Sequence, residues 1–129
     1  MSEILGNIEV TIIEARNLKD ADWFSKNDPW CELTVDGVYK QKTKYINNTS
    51  LPDWNETFTF PILAGQNKLY ITLYDKDWLT SDKLGQVTLD LFPVFQQNRL
   101  HEWIPLDKDP GELHLFVRWI SAAKLEEAQ

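Results

Sequence analysis

The stretch KLYITLY (Lys68–Tyr74), followed directly by DKDWLTSD (Asp75–Asp82), decides the fold of this chain. In its first half, apolar Leu69, Ile71 and Leu73 alternate with more polar residues, which is typical of a β-strand with one buried face. Its second half places three carboxylates and two large apolar side chains in one short connection. The stretch therefore predicts a strand that ends in an acidic loop.

The rest of the chain repeats this pattern of short strands separated by turn residues. Asp36-Gly37 is a strong hairpin signal, Pro61 is expected to end the fourth strand, and Phe92–Asn98 could contain a helical turn. No long amphipathic helix is predicted, so the pattern favours an all-β, eight-stranded antiparallel β-sandwich. The seven further predicted strands are Ile8–Ala15, Trp30–Val35, Tyr39–Lys44, Trp54–Phe60, Lys83–Leu91, His101–Pro105 and Glu112–Ile120.

The length of 129 residues suits one domain, which we assign to residues 1–120, with a C-terminal tail or linker at residues 121–129. The net charge of −7, from 13 basic and 20 acidic residues, disfavours binding to nucleic acid or to anionic membranes through bulk charge. Such binding would have to be local or metal-dependent. The single Cys31 excludes an internal disulfide, and no membrane span or signal peptide is evident, so we expect a cytoplasmic monomer.

Five aspartates fall in two of the predicted loops. In an antiparallel arrangement, the loops after strands one, three, five and seven lie at the same end of the sandwich, so these carboxylates converge. Calcium takes six to eight oxygen ligands in flexible geometry, whereas magnesium demands a strict octahedron and is the weaker candidate. An EF-hand does not fit, because Thr80 would occupy its glycine position, and Asp107-Lys108-Asp109 is interpreted as a turn. The candidate ligands are Asp22, Asp28, Asp75, Asp77 and Asp82.

Two apolar pairs directly follow acidic residues, Trp23-Phe24 after Asp22 and Trp78-Leu79 after Asp77. Exposed apolar residues at loop tips indicate a contact surface, and a Trp ring suits the membrane interface. We therefore predict that these four side chains insert into lipid. The alternative is that the rings fold back onto the sandwich.

Lys40, Lys42 and Lys44 alternate along the third predicted strand and would form a basic stripe on one face. Such a stripe can bind anionic lipid, although a solvated strand face would have the same sequence. His101 and His114 lie in late strands without a nucleophile motif or an acidic partner at a readable spacing. We assign them no catalytic role.

Taken together, these residues resemble the C2 domain, a calcium-dependent phospholipid-binding β-sandwich, from about Gly6 to Ile120. The similar motifs are Ala15-Arg16-Asn17-Leu18, Asp28-Pro29-Trp30, Asp75-x-Asp77 and Asp82-Lys83-Leu84-Gly85. The segments Lys40–Lys44 and Trp54–Phe60 resemble the protein kinase C version of the domain. The resemblance implies a Greek-key sandwich in the type II arrangement, with both chain termini opposite the metal end.

The resemblance also implies a cofactor and its ligands. Calcium (Ca2+) would be held by the five aspartates, with help from the backbone carbonyls of Ala21 and Lys76, and Thr80 would assist a further ion. The loop between Asp77 and Asp82 is one residue shorter than the commoner pattern. We therefore expect two calcium ions, and the short loop leaves both a third ion and the part played by Asp82 open. Phosphoinositide contact by Lys42 and Lys44 is implied as well, although Glu32 stands where the kinase version often has a lysine.

The sequence thus predicts a membrane-binding module in which calcium bridges the acidic loops to lipid phosphate and the Trp tips insert. The alternative is a calcium-independent protein-interaction sandwich with a vestigial metal site. A hydrolase has no support, because neither a Gly-x-Ser-x-Gly elbow nor a His-Glu-x-x-His pair occurs. Further domains or protein partners would lie beyond this chain.

Overall fold

The computed structural model describes residues 3–19, 26–36, 39–77 and 79–123. Gly37 of the predicted hairpin turn and residues 124–129 of the predicted tail lie outside these ranges. The secondary-structure elements are β1 (Ile4–Arg16), β2 (Pro29–Val35), β3 (Tyr39–Lys42), β4 (Asp53–Leu63), β5 (Lys68–Lys76), β6 (Ser81–Asp90), α1 (Phe92–Gln97), β7 (Arg99–Pro105) and β8 (Glu112–Ser121).

The strands form two four-stranded antiparallel sheets, one in the order β4-β1-β8-β7 and the other in the order β3-β2-β5-β6. Alternate residues of each strand face the space between the sheets, because the side-chain period of a strand is two. Leu69, Ile71 and Leu73 of the opening stretch are all fully buried there. The predicted eight-stranded antiparallel β-sandwich is confirmed.

Strand β4 continues to Leu63, so the prediction that Pro61 ends the fourth strand was wrong. The reason is the position of β4 at the edge of its sheet, where it pairs with β1 on one side only. A proline in an edge strand can turn the ring side, which has no N–H donor, away from the ladder. The predicted helical turn is present as α1.

Strand β3 ends at Lys42, so Lys44 lies beyond the strand in which it was predicted. The cause is Thr43, whose side chain is buried and whose hydroxyl accepts the backbone N–H of Cys31 at 2.9 Å. The N–H of Thr43 still donates to the carbonyl of Cys31 at 2.9 Å, so the hydroxyl takes the place of a backbone acceptor for the Cys31 N–H only. The β5–β6 connection also differs from the prediction. Strand β6 begins at Ser81 instead of Lys83 and therefore includes Asp82.

The strand directions bring the connections after β1, β3, β5 and β7 to one end of the sandwich. Several backbone hydrogen bonds join these connections there, including Thr49 N–H to the carbonyl of Asn27 at 2.8 Å. Gly6 pairs with Ser121 at the opposite end, so the first and last strands begin and end away from the acidic loops. None of the helices in the described ranges is long and apolar enough to cross a membrane.

Candidate functional site

Asp75 lies one residue before the end of β5 and is only 8% exposed. It is flanked on both sides, because Pro29 of β2 and Asp82 of β6 are its partners in the two neighbouring ladders. The backbone N–H of Asp28 donates a 2.7 Å hydrogen bond to Asp75 Oδ1. The sandwich thus brings Asp28, Asp75 and Asp82 together although they are far apart in sequence.

The electrostatics of Asp75 reflect this crowding. Burial raises the pKa of its carboxyl group, and the neighbouring charges of Asp28, Asp82 and Asp77 raise it further. The hydrogen bond from the Asp28 N–H opposes the rise but does not cancel it. A buried carboxylate surrounded by like charges is stabilised by a cation placed among them.

Asp28 is held by both of its backbone groups and by its side chain. Its carbonyl accepts the N–H of Lys76 at 2.9 Å, and its Oδ1 accepts the N–H of Asn48 at 2.5 Å. Asn48 belongs to the β3–β4 connection, which the sequence did not assign to the site. Asn48 lies in a turn of that connection and has a positive φ of 50°.

The β5–β6 connection is a tight turn in which the N–H of Asp77 donates to the carbonyl of Thr80 at 2.8 Å. Lys76 pairs with Ser81 across this turn. The side chain of Leu79 is 82% exposed at its tip, so it does not fold back onto the sandwich. The turn therefore presents an acidic base and an apolar tip at the same end of the molecule.

Part of the predicted site cannot be placed. Ala21, Asp22, Trp23, Phe24 and Trp78 all lie outside the described residues. Within residues 3–19, 26–36, 39–77 and 79–123, no three His, Cys, Asp or Glu side chains form a group that could hold a metal ion. The described carboxylates are thus neighbours without being arranged as a finished coordination shell.

The donor chemistry fits a hard divalent cation. Carboxylate oxygens are the ligands that calcium prefers, and its shell tolerates the irregular geometry of loops. Each carboxylate has two oxygens, so the Oδ1 hydrogen bonds of Asp28 and Asp75 leave the second oxygen of each group available as a ligand. The predicted ligands Asp77 and Asp82 are exposed beside them.

A second feature adjoins the acidic end, an open groove of about 770 Å³ between the β3–β4 connection and β5. Lysine side chains from two elements meet in it, and the Nζ of Lys76 lies 3.7 Å from the centre of the Tyr45 ring. The backbone N–H of Lys44 is fixed by the carboxylate of Glu56 at 2.9 Å. The groove is lined by Trp30, Lys42, Thr43, Lys44, Tyr45, Glu56, Lys76 and Ser81.

Lys40 does not line this groove, although the sequence placed it in the same basic stripe. Its Nζ lies 3.5 Å from a carboxylate oxygen of Glu32 on the neighbouring strand. The structure thus divides the predicted stripe, leaving Lys42 and Lys44 in the groove and adding Lys76 to them. Lys76 lies on a different strand, so no spacing within β3 could have revealed it.

The remaining acidic pair at this end is engaged elsewhere. Asp107 accepts hydrogen bonds from the backbone and hydroxyl of Thr88, the latter at 2.9 Å. Asp109 forms an ion pair with Lys19 at 2.8 Å. Both contacts agree with the interpretation of Asp107-Lys108-Asp109 as a structural turn.

A family model for the C2 domain matches residues 6–106. The chain belongs to the C2 domain family. Its sandwich superimposes on a calcium-bound structure of two C2 domains of extended synaptotagmin 2 with a TM-score of 0.87. That match has 28% sequence identity and covers 98% of this chain and 51% of the other.

Curated relatives include Synaptotagmin-5 of Arabidopsis thaliana, which is 31% identical over 92% of this chain. Cytosolic phospholipase A2 delta of Mus musculus is 35% identical over 87% of this C2 domain. The chain spans only 22% and 14% of the lengths of these two proteins. The finer resemblance to the protein kinase C version stays a prediction.

Proposed function

We propose that this C2 domain is a calcium-dependent module that binds phospholipid membranes rather than an enzyme. The observation that carries the proposal is the convergence of Asp28, Asp75 and Asp82, with Asp77 beside them, under the exposed tip of Leu79. The proposed ligand set is completed by the side chain of Asp22 and the backbone carbonyls of Ala21 and Lys76. Two or three calcium ions would bind there.

Calcium would supply positive charge at an end that is otherwise repulsive to anionic lipid. The chain's own residues position the ligands, because the hydrogen bond from the Asp28 N–H to Asp75 Oδ1 holds two carboxylates from distant parts of the chain in one place. Lipid phosphate oxygens can then complete a shell that the protein leaves open, as calcium takes six to eight ligands. The cation acts both as a switch and as a bridge.

The apolar tips give the second contribution. Leu79 is exposed to water in the described structure, so its transfer into lipid would gain roughly 2 kcal/mol. Leu51 of the β3–β4 connection is 67% exposed at the same end and extends the apolar contact. We propose that Trp23, Phe24 and Trp78 insert beside them.

The groove next to the acidic end provides a third contact, for an anionic headgroup. Lys42, Lys44 and Lys76 concentrate positive charge there, and the Tyr45 ring forms part of its wall. A lysine near an anionic leaflet contributes about 1 kcal/mol. We propose that lipids with exposed phosphate groups, phosphoinositides among them, bind in this groove.

The test is co-sedimentation with anionic vesicles in calcium or in chelator. The native domain is expected in the pellet only with calcium, and Asp28→Asn and Asp75→Asn are expected in the supernatant in both conditions. Asp36→Asn is the matched control, because Asp36 is exposed beyond the end of β2 at the opposite end of the sandwich. Calcium-independent binding that both site variants retain would refute the proposal.

The alternative function, a calcium-independent protein-interaction sandwich, is favoured by one observation. The carboxylates within the described ranges do not form a grouped metal centre. Titration calorimetry separates the two functions: calcium binding with a stoichiometry of two or three supports the membrane module. If calcium below millimolar concentration releases no heat of binding and the domain captures a protein ligand, the interaction sandwich is supported.

A further inference from the structure

The outer face of the sheet β4-β1-β8-β7 carries a histidine pair that takes no part in the proposed membrane function. His101 on β7 and His114 on β8 approach with their Nε2 atoms 3.0 Å apart. Their rings are almost parallel, with an interplanar angle of 4°. His114 alternates with the fully buried Leu113 and Leu115, so its side chain lies on the side of the sheet away from the core.

One histidine of this pair, His114, has an acidic partner that the sequence did not reveal. Glu14 is the register partner of His114 on β1, and its Oε2 lies 2.9 Å from His114 Nδ1. A carboxylate only accepts hydrogen bonds, so Nδ1 of His114 is the donor. In the neutral ring this leaves the lone pair on Nε2, the atom that faces His101.

The position of His114 is fixed by further contacts. Its ring stacks on Trp103 with centroids 4.6 Å apart, and the guanidinium of Arg16 lies 3.9 Å from the Trp103 ring centre. Arg16 is held in turn by two hydrogen bonds to Glu112, each of 3.2 Å. His101 is exposed, with Phe116 against one edge of its ring at a centroid distance of 5.4 Å. One imidazole is therefore fixed and the other has room to adjust.

We propose that His101 and His114 bind a borderline divalent transition-metal ion, such as zinc, with Glu14 as the residue that positions His114. Zinc–imidazole bonds are about 2.0–2.1 Å, which places two such nitrogens about 2.9 Å apart at a right angle and about 3.4 Å apart at the tetrahedral angle. The observed 3.0 Å lies within this range. A metal-bound histidine that donates its other N–H to a carboxylate is the usual arrangement around zinc.

Binding replaces one interaction by another. The hydrogen bond between the two Nε2 atoms breaks, the exposed His101 ring tips, and its proton moves to Nδ1 through water. Both Nε2 lone pairs then point to the ion, and water completes its shell. The site is chemically separate from the acidic end, because calcium takes oxygen ligands and imidazole suits zinc and its neighbours.

The experiment is a zinc titration of the whole chain in millimolar calcium, which occupies the acidic end, read by calorimetry and by the ¹⁵N shifts of the imidazoles. One zinc per chain with micromolar affinity is expected, with both Nε2 resonances shifting. His101→Gln and His114→Gln are each expected to weaken binding at least tenfold, and Glu14→Gln about tenfold with a mixed tautomer of His114. Glu9→Gln is the matched control, since Glu9 lies on the same strand beside Arg118.

Unshifted Nε2 resonances at saturating zinc would overturn the proposal, as would a His101→Gln variant that binds zinc like the native chain. A Glu14→Gln variant with native affinity and an unchanged tautomer would overturn the role of Glu14. His101 is exposed, so its replacement tests the site even if His114→Gln does not fold. Calcium-dependent vesicle binding is expected to be the same in all four variants, which separates this proposal from the membrane function.

Discussion

The backbone N–H of Asp28 donates a 2.7 Å hydrogen bond to Oδ1 of Asp75 across a sequence separation of 47 residues. In return, the carbonyl of Asp28 accepts the N–H of Lys76 at 2.9 Å. These two bonds extend the β2–β5 pairing by one step and fix the base of two loops. The relative position of two proposed calcium ligands is therefore set by the sheet rather than by loop conformation.

Removing the charge of Asp75 is expected to stabilise the calcium-free domain. Asp75→Asn eliminates a buried carboxylate beside like charges, while its amide oxygen can still accept the Asp28 N–H. A gain of about 1 kcal/mol would raise Tm by about 4 °C in a domain of this size. Calcium should raise the Tm of the native domain by binding only the folded state, but should not raise that of the variant.

Thermal unfolding in chelator and in calcium checks both expected changes in Tm. Asp36→Asn is the control and is expected to behave like the native domain. A lower Tm for Asp75→Asn in chelator would contradict the electrostatic account. An equal calcium-induced rise in both proteins would remove Asp75 from the ligand set.

The exposed tip of Leu79 is expected to affect membrane binding without affecting stability. Leu79→Asn should leave the free energy of unfolding within about 0.5 kcal/mol, as is usual for exposed positions. It should weaken calcium-dependent vesicle binding by about tenfold or more, since full burial of a leucine is worth roughly 2 kcal/mol. Phe92→Asn is the matched control, because Phe92 is 60% exposed at the opposite end. Equal loss of binding in both variants would show that position is irrelevant.

The division of the predicted lysine stripe leads to a test with three closely spaced lysines, two in the groove and one outside it. Lys42→Gln and Lys44→Gln remove charge from the groove and should each weaken binding to phosphoinositide vesicles about fivefold. Lys40→Gln removes the same charge from an ion pair outside the groove and should have a smaller effect. Partition measured over a salt series checks the charge dependence. Three equal losses would indicate a uniform basic face instead of a groove.

The Arg16–Glu112 contact predicts an acid-dependent part of the stability. The side-chain hydrogen bond from Arg16 lowers the pKa of Glu112, so the folded state favours the ionised form. This stabilisation is present above the ordinary Glu pKa of about 4.3 and is lost as the pH falls through the lower pKa of the folded state. Urea unfolding of the native domain and Glu112→Gln should show a gap near neutral pH that closes in acid. A gap that persists in acid would contradict this prediction.

Gly85 is expected to accept a methyl side chain only with a loss of stability. A methyl group at this position would lie 2.5 Å from Cδ1 of Leu106, which is itself buried in the core. Gly85→Ala should therefore lower the free energy of unfolding by about 1–3 kcal/mol through overpacking. In the double variant Gly85→Ala/Leu106→Ala the clash disappears. The double variant should therefore lose less free energy of unfolding than the sum of the losses in the two single variants. Additive losses would mean that the backbone yields instead.

Much of the fold could be predicted because the alternation of apolar and polar residues in a strand is visible within a few consecutive residues. The KLYITLY stretch gave both a strand and its buried face, and Leu69, Ile71 and Leu73 are fully buried as that pattern requires. The prediction for Pro61 failed because the local pattern does not show where a strand lies in its sheet. Pro61 would have broken a central strand, yet β4 lies at a sheet edge, which no local pattern reveals.

The sequence by itself thus determined the strands, the acidic loops and the resemblance to the C2 family, since each depends on residues close together in the chain. Only the tertiary structure decided the neighbours. It joined Asp28 to Asp75, brought Asn48 to Asp28, moved Lys76 beside Lys42 and Lys44, and placed Glu14 behind His114. These partners belong to different strands or connections. Sheet register pairs Glu14 with His114 and sets Pro29, next to Asp28, opposite Asp75, whereas the β3–β4 connection brings Asn48 to Asp28. The physical reason is that a ladder pairs residues by position across strands, so one shift of register would exchange every partner.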